Sequence, residues 1–104
     1  MSGGIEMTIN KGKNGNSMMI ALEGRLDTVT APQLEEELKA SIDGVADLTF
    51  DFAKLVYISS AGLRVLLSAQ KTMNKQGSMK LVNVGSEIKD IFDVTGFADI
   101  LTIE

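Results

Sequence analysis

Two adjacent serines, Ser59 and Ser60, sit where an apolar run gives way to a helical pattern, followed at once by Ala61, Gly62 and Leu63. A hydroxyl in such a place has two possible uses. It can cap the helix by accepting a bond from an early backbone N–H. It can also stand exposed beside the free N–H groups and positive partial charge of the helix end. A phosphate added there would sit well on its own domain, because helix N-termini bind anions. It would change the surface by about -1.5 to -2 charges and repel a partner carboxylate. Gly62 in the first turn lowers helix propensity by about 1 kcal/mol against Ala. A small residue there lets another backbone come close, within the domain or from a partner. Arg64 follows Ser60 by one turn, at i+4, so its guanidinium is placed either to meet a phosphate or partner carboxylate, or to remain a solvated surface charge.

Little else in the chain is equipped for chemistry. Its 104 residues include no Cys and no His. The first absence removes disulfides, thiolate nucleophiles and zinc ribbons. The second removes the commonest general base and metal ligand, and the usual triads. Net charge is -4 and no basic stripe is present, which disfavours nucleic acid as a partner. Asp27 and Asp51 could be imagined as a carboxylate pair, but no further acidic motif completes a site. Gly12, Gly15 and the nearby lysines lack the spacing of a phosphate-binding loop. The composition favours a binding module over a catalyst, with no catalytic residue, metal or cofactor expected. No apolar run reaches membrane-spanning length, and no basic segment leads into an apolar stretch at the N-terminus, so a cytoplasmic protein with no membrane insertion is expected.

The elements that must position the serine corner are legible from periodicity. Ile5, Met7 and Ile9 alternate with polar residues as a strand does. Asn14-Gly15 suits a hairpin turn, and Met18 to Leu22 reads as the returning strand. Residues 23–30 read as a loop. Thr30, with Gln33 three residues on, has the form of a capping box, and Pro32 falls in the first helical turn. Ala31, Leu34, Leu38 and Ile42 form the apolar stripe of that helix, which Gly44 ends. Leu48, Phe50 and Phe52 alternate as a third strand, and Leu55 to Ile58 lead into the serines. The second helix buries Leu63, Leu66, Leu67 and the segment 69–73, with Arg64, Ser68 and Lys71 toward water. A strand over 79–84, a helix capped by Ser86 with Ile88, Ile91 and Phe92 inward, a stop at Gly96 and a short last strand at Ile100, Leu101 and Ile103 complete the chain. The order implies an α/β fold: one mixed, mostly parallel sheet of about five strands, with helices mainly on one face and right-handed crossovers. Residues 1–104 make a single domain, with 1–4 as a flexible terminus.

In this order and spacing, Gly24-Arg25-Leu26-Asp27, Thr30-Ala31 with Leu34, Asp51-Phe52, the stretch Tyr57-Ile58-Ser59-Ser60-Ala61-Gly62-Leu63 and the stretch Ile91-Phe92-Asp93-Val94-Thr95-Gly96-Phe97 resemble the bacterial single-domain anti-sigma factor antagonists of the STAS class. The resemblance runs over nearly the whole chain. It implies a STAS-like fold and a partner-switching cycle. An anti-sigma factor that is also a Ser/Thr kinase phosphorylates the antagonist, and a Ser/Thr phosphatase reverses this. Only the unmodified form binds the kinase, so a sigma factor is controlled indirectly. By the resemblance the phosphoacceptor is Ser60, two residues before Gly62, with Ser59 as the alternative. Asp27 matches a family Asp close to the acceptor and the partner surface, and Ser59, Ala61, Gly62 and Arg64 are expected to join it in binding the partner. Many members carry an Asp immediately before the acceptor, where this chain has Ser59. Two other functions compete: a non-phosphorylated STAS subunit of a larger assembly such as a transporter, and a small nucleotide-binding protein, which the composition disfavours.

Overall fold

The computed structural model describes residues 7–104. The expected strand residue Ile5 and the terminus 1–4 lie outside the described residues. Strand β1 (Met7–Asn14) turns back into β2 (Ser17–Leu26) through Gly15 and Asn16, one residue later than the expected Asn14-Gly15 turn, because Asn14 still pairs with Ser17. Helix α1 (Ala31–Ser41) leads to β3 (Asp47–Ile58), α2 (Ser60–Gln76) to β4 (Ser78–Val82), and α3 (Ser86–Thr95) ends in a 3-10 turn at Phe97–Asp99. The sheet order is β1-β2-β3-β4, with β1 antiparallel to β2 and the next two pairs parallel. Because the parallel strands advance in one direction, right-handed crossovers put α1 and α2 on the same face. The last expected strand is reduced to a single bridge between Leu81 and Ile103, held by Leu81 N–H to Thr102 and Glu104 N–H to Leu81. Two apolar residues separated by Thr102 are too few to build a longer ladder.

The core forms between that helical layer and one face of the sheet. Met18, Ile20 and Leu22 of β2 and Leu48, Phe50 and Phe52 of β3 are buried in alternation. The expected stripe of α1, Ala31, Leu34, Leu38 and Ile42, is buried, as are Leu63, Val65, Leu66, Ala69 and Met73 of α2 and Ile88 and Phe92 of α3. Leu67, expected inward, is only partly buried. The Phe50 and Phe52 rings meet at 6.0 Å, tilted by 54°, a favourable aromatic geometry. The end of α1 is satisfied from another helix: Gln76 Nε2 donates to the Ile42 and Val45 carbonyls, both at 2.7 Å.

Two departures from the expected elements matter for the serine corner. β2 does not end at Leu22 but runs to Leu26, and β3 does not end at Phe52 but runs to Ile58. The strict alternation of β3 breaks after Phe52, where buried residues step by three, to Leu55 and then Ile58. Register explains the change. Ala21 faces Asp51 but Glu23 faces Lys54, and Gly24 faces Leu55 but Arg25 faces Tyr57. β3 thus carries one extra residue at each of two bulges, which re-aim its later side chains without ending the strand.

At the start of β4, Ser78 N–H donates to the Ala46 carbonyl at 2.8 Å. This brings the Gly77 backbone so close that a Cβ there would overlap the Ala46 carbonyl. Gly77→Ala is therefore expected to lower stability by about 1–3 kcal/mol in urea denaturation. Gly12→Ala, with open space around the added carbon, should stay within about 0.5 kcal/mol of the original.

Candidate functional site: the serine corner

The C-terminal end of β2 and the start of α2 are tied together by one bond: Ser59 N–H donates to the Leu26 carbonyl at 2.9 Å. Ser59 occupies the N-cap position with extended backbone, φ -103° and ψ 177°. Its carbonyl accepts the first helical bond, from Leu63 N–H at 3.0 Å. Its hydroxyl makes no capping bond, is buried, and has no partner. Ser60, the first helical residue, is exposed. The corner thus presents one hydroxyl to solvent and seals the other, and neither serves as the expected side-chain cap.

Gly62 is what allows this junction to close. A Cβ there would lie 2.6 Å from Leu26 Cγ and 2.9 Å from Ile58 Cγ1. Leu26 is fully buried, and the close atom is its branch point rather than its tip, so it has little room to give. Gly62 is buried under these strand ends and offers no side chain to a partner. The helix-propensity deficit expected from the sequence is offset by this close packing.

Asp27 continues directly from Leu26 and organises the loop to α1. Its Oδ1 accepts from Val29 N–H at 3.0 Å and Thr30 N–H at 3.1 Å. Its backbone N–H donates to Thr30 Oγ1 at 2.8 Å. The Thr30 hydroxyl lies 2.7 Å from the Arg25 carbonyl and 3.2 Å from Asp27 Oδ1, sharing its proton between them. Thr30 is consequently in αR backbone and makes no side-chain cap. The expected capping box with Gln33 is replaced by this Asp27 turn, whose backbone carbonyl takes the Ala31 N–H at 2.8 Å. Asp27 Oδ2 faces Arg25 Nε at 3.5 Å and keeps the side chain 21% exposed. Hydrogen bonding from the Thr30 backbone N–H, helped by Val29 N–H and the Arg25 guanidinium, holds the Asp27 carboxyl below its ordinary 3.8 against the opposing effect of partial burial.

Two further surfaces flank the serines. On the helical side, a groove of about 230 Å³ between the first turns of α1 and α2 is bordered by Thr28, Pro32, Glu35, Ala61 and Arg64. Arg64 is exposed, and Ala61 partly so. On the strand side, the Arg25 guanidinium lies over the Tyr57 ring at 4.2 Å. Arg25 and Tyr57 both fall in stretches that carry the STAS resemblance, but a loop over 23–30 gives no reason to pair them, and neither is among the expected site residues. Their pairing follows from the extended β2 and the second bulge of β3. Asp51 does not join Asp27 in a carboxylate pair. Its Oδ1 accepts from Ala53 N–H at 2.9 Å and Asn83 Nδ2 at 3.1 Å, fastening the first bulge to the end of β4. Among the described residues, no group of three or more Asp or Glu is placed to hold a metal ion.

Two measurements follow. Gly62→Ala gains about 1 kcal/mol of helix propensity but overpacks the junction, at a cost of about 1–3 kcal/mol. Thermal unfolding should show a net loss, and a rise in melting temperature would contradict the packing described. For Asp27 the folded-state pKa is depressed, so its contribution to stability is present above the unfolded value of 3.8 and is lost as pH falls through the lower, folded value. Asp27→Ala should be less stable than the unsubstituted chain at about pH 7, with the gap narrowing toward pH ~3. Denaturation midpoints across that range give the comparison.

The family model of the STAS domain matches residues 8–104. The chain is 32% identical over 100 residues to the anti-sigma-B factor antagonist of Bacillus subtilis, covering 95% of this chain and 92% of that protein. Its fold is similar to the crystal structure of an anti-sigma factor antagonist from Mycobacterium paratuberculosis, with TM-score 0.84, 22% identity, and coverage of 93% of this chain and 84% of that one. It is also similar to the Bacillus cell fate determinant SpoIIAA in its phosphorylated form, with TM-score 0.74, 18% identity, and coverage of 93% and 91%. With the family model matching nearly all of the described residues and a relative 32% identical over 95% of this chain, the chain belongs to the STAS domain family.

Proposed function

We propose that this protein is an anti-sigma factor antagonist, a binding module switched by phosphorylation of Ser60. The observation that carries the reading is the contrast between the two serines: Ser60 is exposed at the first position of α2, while the Ser59 hydroxyl is buried. The curated relative from Bacillus subtilis, an anti-sigma-B factor antagonist, supports the functional class.

In this reading an anti-sigma factor kinase docks on the corner formed by Asp27, Ala61, Arg64 and the backbone around Ser59 and Gly62. The Ser60 Oγ attacks the γ-phosphorus of ATP held by the kinase. The new O–P bond forms as the bond to the β,γ-bridging oxygen breaks. ADP leaves, and the hydroxyl proton passes to a base on the kinase. The product carries a dianion at the amino end of a 17-residue helix, where its own domain accommodates it. A carboxylate-bearing partner face then meets like charge, and the complex separates. A phosphatase hydrolyses the ester and restores docking. The antagonist needs no catalytic group of its own, because it supplies a hydroxyl and a face.

Incubation with a kinase encoded in the same genome and ATP should label Ser60, as mapped by mass spectrometry. Ser60→Ala should bind the kinase and take no label. Ser60→Asp should bind at least about tenfold more weakly, the equivalent of 1.4 kcal/mol. Label that persists in Ser60→Ala, or Ser60→Asp binding as tightly as the original, contradicts the assignment.

A further inference from the structure

The chain has only two arginines, Arg25 and Arg64, and in a protein of net charge -4 both lie at the serine corner. Arg64 stands one helical turn after Ser60, on the wall of the groove between α1 and α2. It has no salt-bridge partner among the described residues. Arg25 lies on the strand side, next to Leu26, whose carbonyl holds Ser59 N–H. Its plane is fixed over Tyr57 at 4.2 Å, and its side chain remains 35% exposed. Its contact with Asp27 is long, 3.5 Å from Nε to Oδ2, against about 2.7–2.9 Å for a strong charge-assisted bond. Among the described residues no other carboxylate pairs with it. Tyr57, beneath it, is 37% exposed, and the preceding residue of β3, Val56, is 65% exposed.

We infer that Arg25 and Arg64 are the contacts by which this chain selects its partner, each taking a carboxylate on the kinase face that docks around Ser60. This rests on the docking reading above and adds the chemistry of the partner. A guanidinium suits the role because it stays charged and presents a planar fork that matches a carboxylate. Stacking on Tyr57 pre-organises Arg25, so less side-chain freedom is lost on binding. Arginine and tyrosine are also the residue types that most often dominate interface energetics. The arrangement couples recognition to the switch. A phosphate on Ser60 lies within one helical turn of Arg64, offers it an internal anion, and withdraws it from the partner's carboxylate while repelling that carboxylate directly.

The test uses the full chain and the kinase that labels Ser60, with association followed by surface plasmon resonance at low salt and at about 0.5 M salt. Arg64→Glu and Arg25→Glu should each weaken binding by about tenfold or more at low salt, mainly through a slower association rate, and the loss should shrink at high salt. Arg25→Lys keeps the charge and should retain most of the association rate, while losing affinity through faster dissociation. Circular dichroism checks that each variant is folded. Should Arg25→Glu unfold, Arg64→Glu and Arg25→Lys carry the test. Variants that bind within twofold of the original at low salt, or a loss that salt leaves unchanged, overturn the assignment of the arginines and leave the Ser60 switch standing. Failure of the unsubstituted chain to be labelled by any kinase of its genome overturns the switch, and this assignment with it.

Discussion

The bond from Ser59 N–H to the Leu26 carbonyl fastens the end of a central strand to the first residues of the longest helix. It can form only because Gly62 has no side chain, since any Cβ would push into Leu26 and Ile58. Both neighbours are buried apolar residues that also anchor the core. Packing and site geometry are thus one constraint. The contact that completes the core at this end of the sheet also fixes which of two adjacent hydroxyls faces water. Asp27 extends the same junction from the other side. Its carboxylate is spent largely on its own turn, where it orders the entry to α1. In the proposed docking, Asp27 would therefore act by setting the shape and charge of the loop as much as by touching the partner itself.

The proposed switch makes use of this geometry. The exposed hydroxyl sits on rigid backbone at a helix end, surrounded by groups that tolerate added negative charge. Modification can then change what the surface attracts without reorganising the fold beneath it. Two guanidinium groups, one stacked on an aromatic ring, stand beside the carboxylates of Asp27 and Glu35 at this end of the domain. Local charge governs docking at these distances, because salt screens the rest of the molecule within about 8–10 Å.

Much of this was legible in the residues. The apolar stripes of α1 and α2, the alternation of Leu48, Phe50 and Phe52, and the stop at Gly96, with φ 82°, all reflect periodicities that tertiary structure respects. The serine corner was visible as a helix start. Its details were not. Sequence preference for Ser at caps says nothing of where the Ser59 hydroxyl ends up once Leu26 and Gly62 close over the junction. Thr30 and Gln33 have the spacing of a capping box, yet the Asp27 carboxylate takes the Thr30 N–H, and Gln33 N–H goes to the Thr30 carbonyl instead of its hydroxyl. The pairing of Arg25 with Tyr57 depends on a bulge that breaks the two-residue period, and simple alternation cannot see past it. Glu23-Gly24-Arg25, polar and interrupted by a glycine, reads as loop until both neighbouring strands are in place to hydrogen-bond it.

The most direct measurement is calorimetric titration of the kinase with two otherwise identical preparations, one unmodified and one carrying phosphoserine at position 60. Amide spectra of both should establish that changes are confined to the corner. The account predicts that the unmodified protein binds and the phosphorylated protein does not, with the fold the same in each. Equal affinity of the two forms would contradict it.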